Sequence, residues 1–280
     1  MEIRQALATA CKTLGLQRLD AQLLLLHALG RPAHDRSWLL AHDRDILKPA
    51  QAEHFISLAQ SRATGMPLAY LTGVREFYGL VLEIDARVLD PRADTETLVD
   101  WALELLPMDE PRRDRPPMEV IDLGTGSGAI ALALKQQRGG LRVSALDASG
   151  DALTVAQANA HRLGLALDFH QGNWLDGVAQ RYDLIVSNPP YIADDDPHLP
   201  DLRHEPTLAL ASGEDGLDAI RQIIRQSPPR LKPGGWLLLE HGWQQAAMVR
   251  DLLIRAGFCA AQSRRDLAGI ERCSGGQWPG

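Results

Sequence analysis

The sequence predicts a doubly wound α/β fold preceded by a small all-α domain. From Glu119 onward, strand patterns alternate with helix patterns, which is typical of a mostly parallel sheet with helices on both faces. Before that point, the first 70 residues show the 3.6-residue periodicity of amphipathic helices. At 280 residues, the chain is long enough for one big domain, or for a large domain plus a small one.

The N-terminal segment is predicted to contain four helices, over residues 3–14, 20–29, 36–41 and 50–63. Asp20 is the expected N-cap of the second helix, and Gly30 and Pro32 are its stop signals. Pro49 is well placed in the first turn of the fourth helix. Because this block is too small to hold a deep cofactor cleft, we interpret it as a recognition or lid module.

A β-hairpin is predicted to join the two parts, with strands over residues 74–77 and 80–84 and a turn at Tyr78-Gly79. Asp94 is expected to cap a helix over residues 95–106. A loop rich in Pro and Arg follows over residues 107–118. The predicted organisation is a helical domain over 1–70, a hairpin linker over 71–90 and a larger domain over 91–280.

The larger domain is predicted to contain five strands and then a closing antiparallel pair. The five strands cover residues 120–123, 142–146, 166–170, 184–187 and 236–240, and the closing pair covers 258–263 and 269–273. The helices between strands cover residues 129–137, 151–163, 217–226 and 244–256.

One predicted strand ends in the motif Asn188-Pro189-Pro190-Tyr191. The prolines end the strand, since each fixes φ and lacks an N–H, so the carbonyls of Asn188 and Pro189 lose their ladder partners. The Asn188 amide oxygen is a further acceptor, and Tyr191 adds a flat aromatic face. This arrangement suits a planar NH2 group, and it predicts an amine or amide nitrogen as the reacting atom.

A glycine-rich turn follows the first strand of the predicted sheet. It consists of Gly124, Thr125, Gly126, Ser127 and Gly128. Glycines there allow close approach to a ligand, and Asp147, at the end of the second strand, can accept both hydroxyls of a ribose. The turn alone fits S-adenosyl-L-methionine and NAD about equally. The Asn-Pro-Pro-Tyr motif favours S-adenosyl-L-methionine, because methyl transfer to nitrogen has a use for it and hydride transfer has none.

Two further segments bear on the site. Trp174, after the third strand, is predicted either to contact adenine or to anchor the core. The acidic and His-containing segment 194–204 is interpreted as a solvated loop beside the substrate cleft, pinned by Arg203 and Glu205. No metal site is expected, since its spacings match no standard set of ligands.

Composition narrows the class of partner. The net charge is −7 with no extended basic tract, which disfavours direct nucleic-acid binding. No apolar run is long enough to span a membrane, and the first residues lack a secretory signal. Cys11, Cys259 and Cys273 are odd in number and widely spaced, which fits a reducing cytoplasm. We expect a cytoplasmic monomer that binds no membrane.

The motifs together resemble a known family. Residues 122–128 and 188–191 are similar to class I S-adenosylmethionine-dependent N-methyltransferases. The runs at 70–77, 94–96, 197–199, 205–206 and 240–243 are similar to the HemK/PrmC family, the N5-glutamine methyltransferases of peptide chain release factors. Two positions depart from the family pattern: Ala93 replaces a proline, and Asn173 replaces a common aspartate.

The resemblance implies methylation of the glutamine in the release factor's Gly-Gly-Gln motif. It also implies a Rossmann-like seven-stranded sheet and a helical domain that recognises the release factor. The implied cofactor contacts are Gly124, Thr125, Gly126, Ser127, Gly128, Asp147, Trp174 and Asn188. The implied substrate and catalytic contacts are Asn188, Pro189, Pro190 and Tyr191, with Asn188 Oδ1 and the Pro189 carbonyl orienting the amide.

Two other functions remain open at this point. A nucleic-acid methyltransferase acting on adenine N6 or guanine N2 would also use the Asn-Pro-Pro-Tyr motif. A non-catalytic cofactor-binding module is the second alternative. The tail contains Gly275-Gly276-Gln277, which is itself a Gly-Gly-Gln sequence. We interpret it either as a coincidence or as a turn in a frayed tail, with self-methylation of Gln277 as a minor hypothesis.

Overall fold

In the computed structural model, seven strands of the described residues form one sheet in the order β5-β4-β3-β6-β7-β9-β8. The structure describes residues 1–106 and 116–280. Most of the predicted loop at 107–118 therefore lies outside the described residues. The chain divides into two compact units, Met1–Val74 and Arg75–Gly280.

The first unit, all of which is described, contains five helices. They are α1 (Ile3–Lys12), α2 (Arg18–Ala28), α3 (Arg36–Ala41), α4 (Pro49–Ala63) and α5 (Leu68–Thr72). Leu24, Leu25 and Phe55 belong to its buried core. The sequence did not predict α5, a five-residue helix with Pro67 at its N-cap.

The predicted N-cap of the second helix was wrong. α2 begins at Arg18, with Gln17 in the N-cap position. Asp20 lies in the first turn, where its carboxylate forms an ion pair with Arg62 at 2.8 Å. A negatively charged side chain in the first turn also interacts favourably with the positive end of the helix dipole, so Asp20 stabilises α2 from this position.

The predicted hairpin is present as β1 (Val74–Phe77) and β2 (Leu80–Glu83). Tyr78 and Gly79 form its turn with φ values of 51° and 76°. Positive φ at both central residues is the backbone of a type I′ turn, whose twist matches that of the strands.

The helix predicted at 95–106 is α6 (Glu96–Leu105), and a short 3-10 turn over Ala93–Thr95 precedes it. Asp94 does not cap it, so that prediction was wrong. Thr95 occupies the N-cap position, and the Asp94 carboxylate forms an ion pair with Arg272 at 3.3 Å.

The sheet is parallel from β5 to β7 and antiparallel at β9 and β8, which confirms the predicted closing pair. Its strands are β3 (Glu119–Leu123), β4 (Arg142–Asp147), β5 (Asp168–Gln171), β6 (Tyr182–Ser187), β7 (Leu231–Glu240), β8 (Cys259–Arg265) and β9 (Glu271–Gln277). Its helices are α7 (Ala129–Gln137), α8 (Gly150–Leu163), α9 (Asp218–Gln226) and α10 (Ala246–Arg255).

Register brings the motifs to one edge of the sheet. Leu123 at the end of β3 pairs with Leu146 of β4 on one side and with Ser187 of β6 on the other. The strand order reverses at β3, and ligands of doubly wound sheets bind outside the carboxyl ends of strands at such a reversal. The glycine turn, Asp147 and Asn188 therefore emerge side by side.

The tail does not fray, which corrects the prediction. β9 continues to Gln277 and pairs with both β7 and β8. A Cβ on Gly275 would lie 2.5 Å from Leu238 Cδ2, so packing requires a glycine there. Gln277 Nε2 donates a hydrogen bond to the Gly234 carbonyl at 2.9 Å. The amide is therefore part of the sheet edge.

The main core lies between the sheet and its helices. Ile121, Ile185 and Leu237 are fully buried and pack in one cluster with Ile220 of α9 and Val249 of α10. Within the described ranges, no helix combines the length and the apolar character needed to cross a lipid bilayer.

Candidate active site

A cavity of about 280 Å³ opens at the carboxyl edge of β3, β4 and β6. Six predicted site residues line it: Gly124, Gly126, Asp147, Trp174, Asn188 and Pro190. The cavity therefore brings together two glycines of the turn with Asn188 and Pro190 of the Asn-Pro-Pro-Tyr motif.

The glycine turn is held in a conformation that favours glycine. Gly124, Gly126 and Gly128 have φ values of 69°, 56° and 85°. The amides of Gly124 and Thr125 both donate to the Leu146 carbonyl, at 2.8 and 3.0 Å. A Cβ on Gly126 would meet no protein atom within 4 Å. The space in front of Gly126 is thus open to a ligand.

Asp147 is fixed at the cavity by two backbone amides. Its Oδ2 accepts from Gly126 N at 2.9 Å, and its Oδ1 accepts from Ser149 N at 2.9 Å. Each carboxylate oxygen has a second lone pair. Asp147 can therefore still accept two hydroxyl groups of a bound ribose.

Three residues of the glycine turn do not line the cavity. Thr125 is buried and donates to Asp122 Oδ2 at 2.7 Å, and the Ser127 carbonyl accepts from Asn159 Nδ2 at 3.1 Å. A Cβ on Gly128 would lie 2.9 Å from Leu132 of α7. These contacts shape the turn; that Thr125, Ser127 and Gly128 touch the cofactor stays a prediction.

Asp122 lies fully buried beneath this turn. Desolvation raises the pKa of its carboxyl to about 7, although the Thr125 and Ala131 hydrogen bonds oppose the rise. Its Oδ1 has no hydrogen-bond partner in the described part of the chain. A buried carboxyl with a raised pKa holds its proton more readily at neutral pH.

Trp174 serves the cavity and the core together. Its backbone has a φ of 53°, and its ring packs partly buried against the main core. A Cβ on Gly124 would lie 3.3 Å from the ring. The indole therefore forms a wall of the cavity beside the glycine turn, where it can border a planar base.

The Asn188 side chain is oriented by Thr95, a residue distant in sequence but in hydrogen-bonding contact. Its Nδ2 donates a hydrogen bond to Thr95 Oγ1 at 3.2 Å. With Nδ2 engaged, Oδ1 is the end of the amide that remains to accept hydrogen from a ligand. Pro190 lines the cavity with Asn188, whereas Pro189 is buried and does not.

Tyr191 lies outside the cavity lining. Its hydroxyl donates to Glu240 Oε1 at 3.3 Å, and its carbonyl accepts from Gln245 Nε2 at 3.0 Å. Desolvation raises the pKa of Tyr191 well above the ordinary value, and the Glu240 charge adds to this rise. The phenol is therefore neutral at physiological pH.

Glu240, at the end of β7, is a buried acid that was not predicted from the sequence as a site residue. Its side chain is 1% exposed, and Oε2 has no hydrogen-bond partner in the described residues. Burial raises the pKa of Glu240 to about 7, while the nearby Thr95 and Tyr191 hydroxyls oppose the rise. Near neutral pH this carboxyl is thus present in both its protonated and its ionised form, and it is hydrogen-bonded to Tyr191 of the Asn-Pro-Pro-Tyr motif.

Part of the cavity wall consists of residues that the sequence did not predict. Residues 87–89 and Pro206, Leu208 and Ala209 line it. The second group follows Glu205, whose Oε1 pairs with Arg92 at 2.5 Å and whose Oε2 accepts from the Asp90 amide at 3.3 Å. The family-like pair Glu205-Pro206 was the available signal. Its position at the cavity depends on an ion pair between residues 113 positions apart.

The other polar candidates have local roles. Asp196 Oδ1 and His198 Nδ1 lie 2.9 Å apart on an exposed segment, and no metal-binding group of three or more His, Cys, Asp or Glu occurs among the described residues. His241 is buried between the Gly242 carbonyl and the Ser274 hydroxyl. Its pKa is lowered by desolvation.

The sequence matches two family models. Residues 2–73 match the PrmC N-terminal domain, and residues 97–201 match the methyltransferase small domain. A release factor glutamine methyltransferase of Xylella fastidiosa (strain Temecula1) is 48% identical, with 97% of each chain covered. Proteins of the same name from Bordetella pertussis (49% identical, 94% of this chain and 95% of that one) and Escherichia coli K12 (42%, 93% and 92%) are also similar.

Solved structures share the fold at lower identity. The hMettl16 catalytic domain, in complex with an RNA hairpin, is 17% identical with a TM-score of 0.57, and the match covers 79% of this chain and 82% of that one. The Thermus thermophilus 16S rRNA N2 G1207 methyltransferase RsmC, in complex with AdoMet and guanosine, is 18% identical with a TM-score of 0.51, over 73% and 49%. The near full-length relatives show that this chain belongs to the release factor glutamine methyltransferase family.

Proposed function

We propose that this protein transfers a methyl group from S-adenosyl-L-methionine to the side-chain amide nitrogen, N5, of the glutamine in the Gly-Gly-Gln motif of peptide chain release factors. The names of its near full-length relatives support the substrate. The observation that carries the chemistry is the placement of Asn188 on the same cavity as Asp147 and the glycine turn. Its amide nitrogen is already bonded to Thr95, so Oδ1 can accept from a substrate NH2.

The residues present fit this cofactor. The open space at Gly126, which a Cβ would enter, admits close approach of the donor to the backbone. Asp147 offers free lone pairs for the ribose hydroxyls, and Trp174 offers an aromatic wall for the adenine. When bound, S-adenosyl-L-methionine supplies an activated methyl group attached to a positively charged sulfur.

The protein's contribution to the chemistry is orientation. A carboxamide nitrogen is a weak nucleophile because its lone pair is delocalised into the carbonyl. Asn188 Oδ1 and the Pro189 carbonyl would each accept one hydrogen of the amide and aim its nitrogen at the donor. Alignment of two reactants in this way can carry much of a rate enhancement. No strong base is needed beforehand, since the nitrogen becomes acidic only as it is alkylated, and the proton then passes to water.

Pro190 and Tyr191 would complete the substrate site. Pro190 lines the cavity next to Asn188 and stiffens the backbone that carries it. Tyr191 would pack its ring against the substrate amide while its hydroxyl stays bonded to Glu240. A neutral aromatic face can also stabilise a nearby cation.

The helical first unit would recognise the release factor. Its match to the PrmC N-terminal domain over residues 2–73 supports this role. We further propose that the protein acts as a cytoplasmic monomer without direct contact to nucleic acid. A net charge of −7 supports the last point, because nucleic-acid binding draws on basic surfaces.

The test is radiolabelled methyl transfer from S-adenosyl-L-methionine to a purified release factor. Its variant with Gln→Ala in the Gly-Gly-Gln motif is the matched control, and tRNA, rRNA and DNA are competing acceptors. We expect label on the wild-type factor alone. Label on a nucleic acid would establish an amino-methyltransferase of that class instead. Cofactor binding without transfer to any acceptor would indicate a non-catalytic module.

A further inference from the structure

The proposed reaction requires the Asn188 carboxamide to be oriented with one particular end towards the substrate. A carboxamide presents an acceptor at one end and a donor at the other. The proposed reaction needs the acceptor at the substrate, because the substrate NH2 has hydrogens to donate. In the structure, Nδ2 donates to Thr95 Oγ1 at 3.2 Å, which is the orientation the reaction requires.

Thr95 alone does not dictate this orientation. A hydroxyl can accept from Nδ2, or it can donate to Oδ1 of a reversed amide. The choice depends on where the Thr95 proton goes. Thr95 is 3% exposed, so water is not a ready acceptor.

Glu240 supplies the missing acceptor. The Thr95 hydroxyl lies close enough to lower the pKa of the Glu240 carboxyl. Glu240 is 1% exposed, and its Oε2 is a buried acceptor with no hydrogen-bond partner in the described residues. An ionised carboxylate accepts only. A Thr95 proton directed at Glu240 leaves a Thr95 lone pair for Asn188 Nδ2.

The same carboxylate holds the other end of the motif. Its Oε1 accepts from the Tyr191 hydroxyl at 3.3 Å. Tyr191 is thus hydrogen-bonded to Glu240 directly, and Asn188 is hydrogen-bonded to Thr95, whose hydroxyl lies near the same buried acid. Glu240 lies at the end of β7, and Thr95 lies immediately before α6. Two separate elements therefore hold the side chains of the Asn-Pro-Pro-Tyr motif.

Charged groups near Glu240 shift its pKa in opposite directions. Asp94 disfavours ionisation, whereas Arg272, paired with Asp94 at 3.3 Å, favours it. Tyr191 is neutral. Cys273 is the register partner of Glu240 between β7 and β9, and its buried thiol has a raised pKa and keeps its proton. The adjacent His241 has a lowered pKa and adds no charge at neutral pH.

We propose that Thr95 and Glu240 are positioning residues that set the polarity of the Asn188 amide, so that Oδ1 is presented to the substrate nitrogen. This inference rests on the proposed function. Thr95 and Glu240 would act only through Asn188, whose Oδ1 orients the substrate, and neither would contact the reacting atoms.

The test compares Thr95→Val, which keeps the shape and removes the hydroxyl, with Thr95→Ser, which keeps the hydroxyl. With release factor as substrate, we expect Thr95→Val to lower kcat by about 100-fold, the scale of a small misplacement of reacting groups. We expect cofactor Kd to change by no more than about twofold, since the lost interaction acts on the transition state. Thr95→Ser should recover most of the lost kcat.

A second readout does not depend on the fold of the Thr95 variants. We expect the wild-type kcat to fall as pH drops through about 7, when Glu240 takes up a proton and can donate to Thr95. Glu240→Gln should abolish this limb of the profile. Wild-type kcat in Thr95→Val, or an unchanged acid limb in Glu240→Gln, would overturn the inference and leave the proposed function intact. An inactive wild-type enzyme would refute the proposed function and this inference with it.

Discussion

Asn188 Nδ2 donates a hydrogen bond to Thr95 Oγ1 over 3.2 Å, although the two residues are 93 positions apart. The contact joins the end of β6 to the start of α6. It fixes the one side chain of the Asn-Pro-Pro-Tyr motif that both lines the cavity and carries an amide. The orientation of the proposed substrate therefore depends on how α6 begins.

Removing the Asn188 amide should damage turnover more than cofactor binding. We expect Asn188→Ala to lower kcat by about 100-fold or more, a loss typical of one preorganised hydrogen-bonding group in an active site. Cofactor Kd, measured by calorimetry, should rise far less, because Asp147 and Trp174 remain in the cavity wall. Near-wild-type turnover would refute the proposed role of Asn188.

The open space at Gly126 should be needed by the cofactor. Gly126→Ala and Gly164→Ala both place a Cβ at positive φ, 56° and 66°, and neither Cβ meets a protein atom within 4 Å. Each should cost about 1–2 kcal/mol of stability through backbone strain. Only Gly126→Ala should weaken cofactor binding, since Gly164 ends α8 outside the cavity. Equal cofactor affinity in the two variants would contradict the proposal that the cofactor binds against the glycine turn.

The ion pair between Arg92 and Glu205 should anchor the wall formed by Pro206, Leu208 and Ala209. Its length is 2.5 Å, and the Glu205 side chain is 2% exposed. We expect a double-mutant cycle to give a coupling of about 1–3 kcal/mol in the free energy of unfolding. The exposed pair Arg221–Asp215 has the same length and should couple by less than about 1 kcal/mol. Similar couplings for both pairs would refute this view of the wall.

The contribution of Glu240 to stability should fall as pH rises from about 4 to about 7. Burial raises the pKa of Glu240 to about 7, whereas in the unfolded chain it ionises near pH 4.3. Between those values the unfolded state binds fewer protons, so unfolding is favoured by rising pH. Asp122 contributes with the same sign.

Glu240→Gln should remove part of this dependence, on the order of 3 kcal/mol across the interval. Urea denaturation at a series of pH values measures it. The exposed Glu214→Gln is the control for simple loss of charge. A wild-type slope retained in Glu240→Gln would show that this carboxyl is not the titrating group.

Periodicity was sufficient to predict most of the fold. The parallel strands and the helices between them are local patterns, and the observed elements fall at or near the predicted positions. The cap predictions failed at Asp20 and Asp94. Both carboxylates form ion pairs with distant partners, Arg62 and Arg272, which no local pattern reveals. The tail was misjudged because Gly275 is required by packing against Leu238, and the sequence shows only a flexible residue.

The site was predictable where it depends on strand ends. The glycine turn, Asp147 and Asn188 follow three neighbouring strands, and parallel pairing brings their ends together. Thr95 and Glu240 were not identified as site residues, because their relation to Asn188 exists only after the whole domain has folded. That Pro189 and Tyr191 contact the substrate stays a prediction, since neither lines the cavity.

The most direct measurement is mass spectrometry of the reaction between this protein, a purified release factor and S-adenosyl-L-methionine. We expect one methyl group on the side-chain amide of the glutamine in the factor's Gly-Gly-Gln motif. The protein's own Gln277 should stay unmodified, because β9 and the Gly234 carbonyl hold it in the sheet. A methyl group on another residue of the factor, or an unmodified factor, would contradict the proposed function.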